Sequence, residues 1–94
     1  MTITVARRPG ADPLVFEVEV AEGRDSTRHR VTLRAADFAR LAGGATPERT
    51  VEAAFQFLLD HEPKESILAS FDIRVIARYF PEFERELPRY LAAP

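Results

Sequence analysis

Ser26, Ser66 and Ser70, together with His29 and His61, are the inventory this chain offers for nucleophilic catalysis. A serine nucleophile needs a neighbouring base and a strained elbow that presents its hydroxyl, and none of the three serines lies in such a motif. His29 falls on the apolar side of an alternating run, which predicts a part-buried ring satisfied by a hydrogen bond. His61-Glu62 could begin a metal site, but Pro63 interrupts it and no second histidine follows at helical spacing. Gly43-Gly44 lacks the Lys-Ser/Thr of a phosphate-binding loop. The carboxylates gather in two runs, Glu62 and Glu65 around Lys64, and Glu82, Glu84 and Glu86 around Arg85. The second run reads as a solvated helix face, the first as a recognition patch or the polar side of a turn, and neither has the desolvated pocket that tunes a carboxylate for acid–base work. The expectation is a non-enzyme with no cofactor and no bound metal.

Arginine is the other residue type that could carry chemistry, because its guanidinium fork matches phosphate. Of 13 cations only Lys64 is a lysine. Arg24, Arg28, Arg30 and Arg34 crowd into one short stretch and resemble a basic ribbon for nucleic acid, with Arg74 and Arg78 as a second, helical set. Two facts weigh against this. A GC-rich coding bias gives the same enrichment, and the whole chain carries a net charge of −2, with 15 acids. Phosphate-tracking surfaces need uncompensated cations, and the elements that position these arginines supply compensation.

Those elements change character near Gly43-Gly44. The first part reads as strands. Residues 2–5 alternate polar and apolar. Leu14, Phe16, Val18 and Val20 then share one face, with Glu17 and Glu19 on the other. After a turn at Gly23-Arg24, His29, Val31 and Leu33 alternate with Arg28, Arg30, Thr32 and Arg34. A two-residue turn places Val18 opposite His29 and Phe16 opposite Val31, so the apolar faces coincide. The same register sets Glu17 against Arg30 and Glu19 against Arg28, and opposite charges across a strand pair stabilise it.

The second part reads as helices. A short one spans residues 34–41, with Asp37 in its first turn and Gly43 beyond its end. Thr46-Pro47-Glu48 is a start signal for a helix from Pro47 to about His61, its apolar stripe formed by Val51, Ala54, Phe55 and Leu58. Pro63 opens a short helical turn, Asp72 caps a helix over residues 73–79, and Pro81 and Pro88 bracket a last turn. Residues 64–69 and 73–80 also have the lengths of a helix-turn-helix, although the second helix offers only Arg74 and Arg78 as readers.

Phe57 and Leu59 lie off the inward stripe of the Pro47 helix. Phe57 stands about 200° around the axis from Phe55, so one core cannot take both rings. Phe57 must be covered either by the helix over residues 34–41 or by another chain. Tyr79, Phe80 and Phe83 add to an apolar surplus near the C-terminus. Phe57, Leu59, Tyr79, Phe80 and Phe83 are therefore the candidate partner-binding residues, since aromatic side chains are enriched at interfaces.

Glu62-Pro63-Lys64-Glu65-Ser66-Ile67-Leu68, then Phe71-Asp72, then Tyr79-Phe80-Pro81-Glu82, resembles a pattern found in short uncharacterised bacterial proteins. The resemblance implies a bacterial single-domain protein and carries over no functional residue.

With 94 residues there is room for one core. No apolar run approaches the ~18 residues of a membrane span, and the first residues lack the pattern of a signal peptide. The absence of cysteine excludes disulfides and fits a cytoplasmic protein. The expected fold is α+β: an N-terminal antiparallel hairpin of two or three strands packed against C-terminal helices. The expected function is a non-enzymatic interaction or accessory protein that binds a protein partner, self-associating as a homo-oligomer or serving as a subunit of a larger assembly. The alternative is an antitoxin-like or repressor-like nucleic-acid-binding regulator using Arg24, Arg28, Arg30 and Arg34.

Overall fold

Strict alternation in the first third of the chain builds the frame of the computed structural model, which describes residues 1–93. Strands β1 (Thr2–Arg7), β2 (Leu14–Glu22) and β3 (Asp25–Leu33) form an antiparallel meander. The β2–β3 register is the one that the charges dictate: Glu17 faces Arg30, Glu19 faces Arg28, Val18 faces His29 and Phe16 faces Val31. Glu22 and Asp25 close the hairpin over Gly23-Arg24. Gly23 alone takes positive φ there, at 60°, which is the demand of a type II′ turn. Arg30 reaches the Glu17 carboxylate at 2.9 Å and Arg28 reaches Glu19 at 3.6 Å on the solvent face. Both pairs are exposed, so Arg30→Gln should lower stability by only about 0.2–1 kcal/mol in chemical denaturation. A larger loss would mean that Arg30 supports more than this ladder.

The opposite face of the sheet is closed to water. Phe16, Val18, Val20, Val31 and Leu33 are buried there, and helix α2 (Pro47–His61) lies across them. The Thr46 hydroxyl caps α2 by accepting from the Arg49 N–H at 3.1 Å, and Pro47 occupies its first turn. Phe55 packs on His29 of β3 and on Phe71, with ring centroids 5.4 and 6.0 Å away.

Phe57 points the other way and is covered by its own chain. Neither the preceding short helix, α1 (Ala35–Leu41), nor a second chain is needed. Helix α4 (Phe83–Ala92) lays Phe83 and Tyr90 on it, at 5.1 and 5.8 Å, and Phe80 adds an edge contact at 5.8 Å. The layers are thus sheet, α2 and α4, and α2 is apolar around its girth because it is packed on two sides. Arg49 fastens the layers by donating to the carbonyls of Tyr90 and Ala93, while the Tyr90 hydroxyl donates to Asp60 at 2.6 Å.

Three local expectations are corrected by this packing. Residues 70–72, expected only to link the helices over 64–69 and 73–80, form a fourth strand, β4 (Ser70–Asp72), parallel to β3, giving the order β1-β2-β3-β4. The helix-turn-helix is therefore absent: the residues before β4 form only a 3₁₀ turn, Lys64–Ser66, and helix α3 is Val75–Tyr79. Asp72 does accept the Arg74 N–H, at 3.0 Å, but from the end of the strand. Pro88 does not bracket a turn. It lies exposed inside α4, where burial of Phe83 and Leu87 outweighs the one lost intrahelical bond. Among the described residues no helix is long and apolar enough to cross a membrane.

Asp37 holds the helical layer together. Its carboxylate is 2% exposed and accepts from Arg34 at 2.7 Å and from Arg40 at 2.8 Å, with Arg74 at 3.7 Å. Arg40 also binds Glu84 of α4. The first turn of α1 is capped from a distance: the Ala35 N–H donates to the Asp12 side chain at 3.0 Å, while Arg34 offers no cap.

Candidate functional site

The two sides of β4 have different fates: the chain entering it and the helix leaving it form the walls of an open groove. Ile67 and Ile76 are buried at its base beside Leu58 of α2, and Phe71, Val75 and Phe80 are half-buried along its sides. The cavity measures about 310 Å³. Leu68 and Tyr79 stand at its mouth, 46% and 67% exposed. Apart from Met1 they are the exposed large hydrophobic side chains among the described residues. Glu62, Ser66 and Tyr79 are the lining residues with polar side-chain groups.

Each wall is positioned by a polar anchor. His29, buried under α2, donates from Nδ1 to the Leu68 carbonyl at 2.8 Å, because a carbonyl can only accept. Its Nε2 then accepts from the Thr27 hydroxyl at 2.8 Å. Both ring nitrogens are engaged within the fold, and the hydroxyl at Nε2 is that of Thr27, not of a serine. Lys64 is buried with its ammonium between Glu65 at 2.6 Å and Glu22 at 3.5 Å, which ties the 3₁₀ turn to the end of β2. On the far side the Thr32 hydroxyl donates to Asp72 at 2.7 Å and fixes β4 against β3.

Glu62 is placed by the end of α2, whose last carbonyls its own N–H helps to close through Leu58. Its side chain is half-buried, and burial in apolar surroundings pushes its carboxyl above the ordinary value, with the neighbouring His61 acting in the opposite direction. Its side chain has no hydrogen bond or ion pair to another residue among the described residues. An apolar slot with one carboxylate at its wall can recognise an apolar group.

The expected partner-binding residues separate into two sets. Tyr79 and Phe80 meet at the groove. Phe57 and Phe83 do not: they are fully buried between α2 and α4, so they form core and not surface. Leu59 is half-buried against the same core, away from the groove lining. Glu62, one of the two acids of the possible recognition patch around Lys64, lines the groove, and Leu68 is the lining residue that sequence reasoning misses. Leu68 follows a proline-opened turn, and only the parallel pairing of β4 brings it beside Tyr79.

The arginines are largely occupied. Arg28 and Arg30 pair with Glu19 and Glu17, Arg34 with Asp37, and Arg74 with Asp72 at 2.7 Å. Arg24 at the hairpin turn and Arg78 on α3 carry no carboxylate partner among the described residues, and they belong to different elements. Compared with known proteins, the chain matches no family model, no curated protein and no solved structure.

Proposed function

We propose that this chain is a non-enzymatic interaction protein whose groove between the 3₁₀ turn, β4 and α3 seats a segment of a protein partner. The observation that carries this reading is the placement of Leu68 and Tyr79. Exposed large apolar side chains scattered singly need no explanation, but here two flank one apolar cavity. The volume suits one or two anchoring side chains.

A photo-crosslinking amino acid in place of Tyr79 tests this in cells, with the same residue in place of Arg24 as a control on a distant turn. The expected result is a discrete protein adduct from position 79 alone, lost when Leu68→Ala is added. An adduct between two copies would identify the groove as a self-association surface, and a different protein would make the chain a subunit of an assembly. Absence of any adduct from position 79 counts against the groove. Because both side chains are exposed, Leu68→Ala and Tyr79→Ala should each change stability by less than about 0.5 kcal/mol, so lost binding would not be lost folding. A gel shift with nucleic acid that weakens steeply with salt would favour the regulator reading instead.

A further inference from the structure

We infer that the groove selects partner segments in which a lysine or arginine adjoins the apolar anchor, with Glu62 as the counter-charge. This rests on the groove being the docking surface, and it adds what that surface demands chemically.

The inference starts from the other acids of α2. Glu48 is held by Arg7 at 2.8 Å, Glu52 by Arg49 at 2.9 Å, and Asp60 by the Tyr90 hydroxyl at 2.6 Å. Glu62, at the end of the same helix, is the one left without a donor among the described residues, and it is also the one that lines the apolar cavity. The nearest lysine in sequence, Lys64, is committed to Glu65 and Glu22. The carboxylate therefore depends on water for its solvation.

An occupant of the groove displaces that water. A purely apolar segment would leave the carboxylate buried and unpaired, which costs several kcal/mol for an ion unless it is neutralised. An acidic segment would add like-charge repulsion. A segment with a cation beside its anchor replaces the lost water with a charge-assisted hydrogen bond. The negative end of α2, a helix of 15 residues, adds to the same preference at this position. The burial that already raises the Glu62 carboxyl has the same origin.

The test is selection of a random displayed peptide library on the full chain, followed by binding of the synthetic consensus peptide. Enriched peptides are expected to pair a leucine or aromatic residue with a nearby lysine or arginine. Glu62→Gln should weaken the consensus peptide about tenfold, and a peptide with that cation changed to glutamate should bind the wild type poorly yet regain affinity for Glu62→Lys. Peptides that require Leu68 and Tyr79 but show no basic preference, or that bind Glu62→Gln equally well, overturn the inference and leave the groove reading intact. Peptides indifferent to Leu68→Ala and Tyr79→Ala, or no enrichment at all, overturn both.

Discussion

Phe57→Ala is expected to cost this domain about 3–5 kcal/mol, a large share of what a chain of this size has in reserve. The ring is fully buried and meets four others: His61 at 4.1 Å, Phe83 at 5.1 Å, and Phe80 and Tyr90 at 5.8 Å. Truncation leaves a void between α2 and α4 that rigid neighbours on both helices cannot close. The change should appear in urea as a lower midpoint with an unchanged slope. If α4 alone detaches, the slope falls and a second transition appears. A variant within about 0.5 kcal/mol of wild type would mean that the α2–α4 layer is not packed as described. Loss of partner binding without loss of stability is not expected here, which distinguishes Phe57 from Tyr79.

The second large effect concerns Asp37. Its carboxyl is held down at about 2, first by the hydrogen bond from Arg34 and further by that from Arg40, against the opposing effect of burial. Because the folded value lies below the ordinary ~3.9, the stabilisation is fully present above that pH and is lost as pH falls toward 2. Asp37→Ala should lower stability at neutral pH by roughly 1.5–3 kcal/mol, the range for hydrogen bonds to charged groups. The arginines are half-exposed and regain water, so the full cost of stranded charges is not expected. The gap between wild type and variant should narrow as pH drops from about 5 to 2. Glu48, lowered by its hydrogen bond from Arg7, leaves the variant some acid sensitivity of its own. A gap independent of pH would show that Asp37 acts through packing and not through its charge.

The legible parts of this molecule are those whose determinants are close in sequence. Glu17 and Arg30 reveal the hairpin register because a short turn restricts the alternatives. Thr46 and Pro47 mark the start of α2 because capping is settled within one turn. The burial of Phe57 is readable from helical geometry, but not what buries it: α4 is split on paper by Pro88, and only its docking on α2 makes one helix of it. β4 is too short to show alternation, and its partner is remote. Asp37 reads as an ordinary first-turn acid until Arg40 and Arg74 converge on it. The groove is of the same kind. Tyr79 and Phe80 stand out by type and Glu62 by its place in a charged run, whereas Leu68 acquires meaning only from assembly.

The parallel pairing of β4 has a bearing on the order in which the molecule assembles. Thr32 and Asp72, which join β3 to β4, are 40 residues apart, while the meander before them is made of near neighbours. Closing so long a loop onto a ladder of 3 residues gains little until α1 and α2 are already in place. β4 and the walls it carries should thus be the last region to order and the first to open. Native-state hydrogen exchange should show the Ile73 amide, bonded to the Thr32 carbonyl at 3.0 Å, opening at lower free energy than amides at the centre of β2. Equal protection would place β4 in the same cooperative unit as the meander. A partner in the groove would then act as a clasp on the final step of folding, raising the stability of the closed chain in proportion to the logarithm of its concentration.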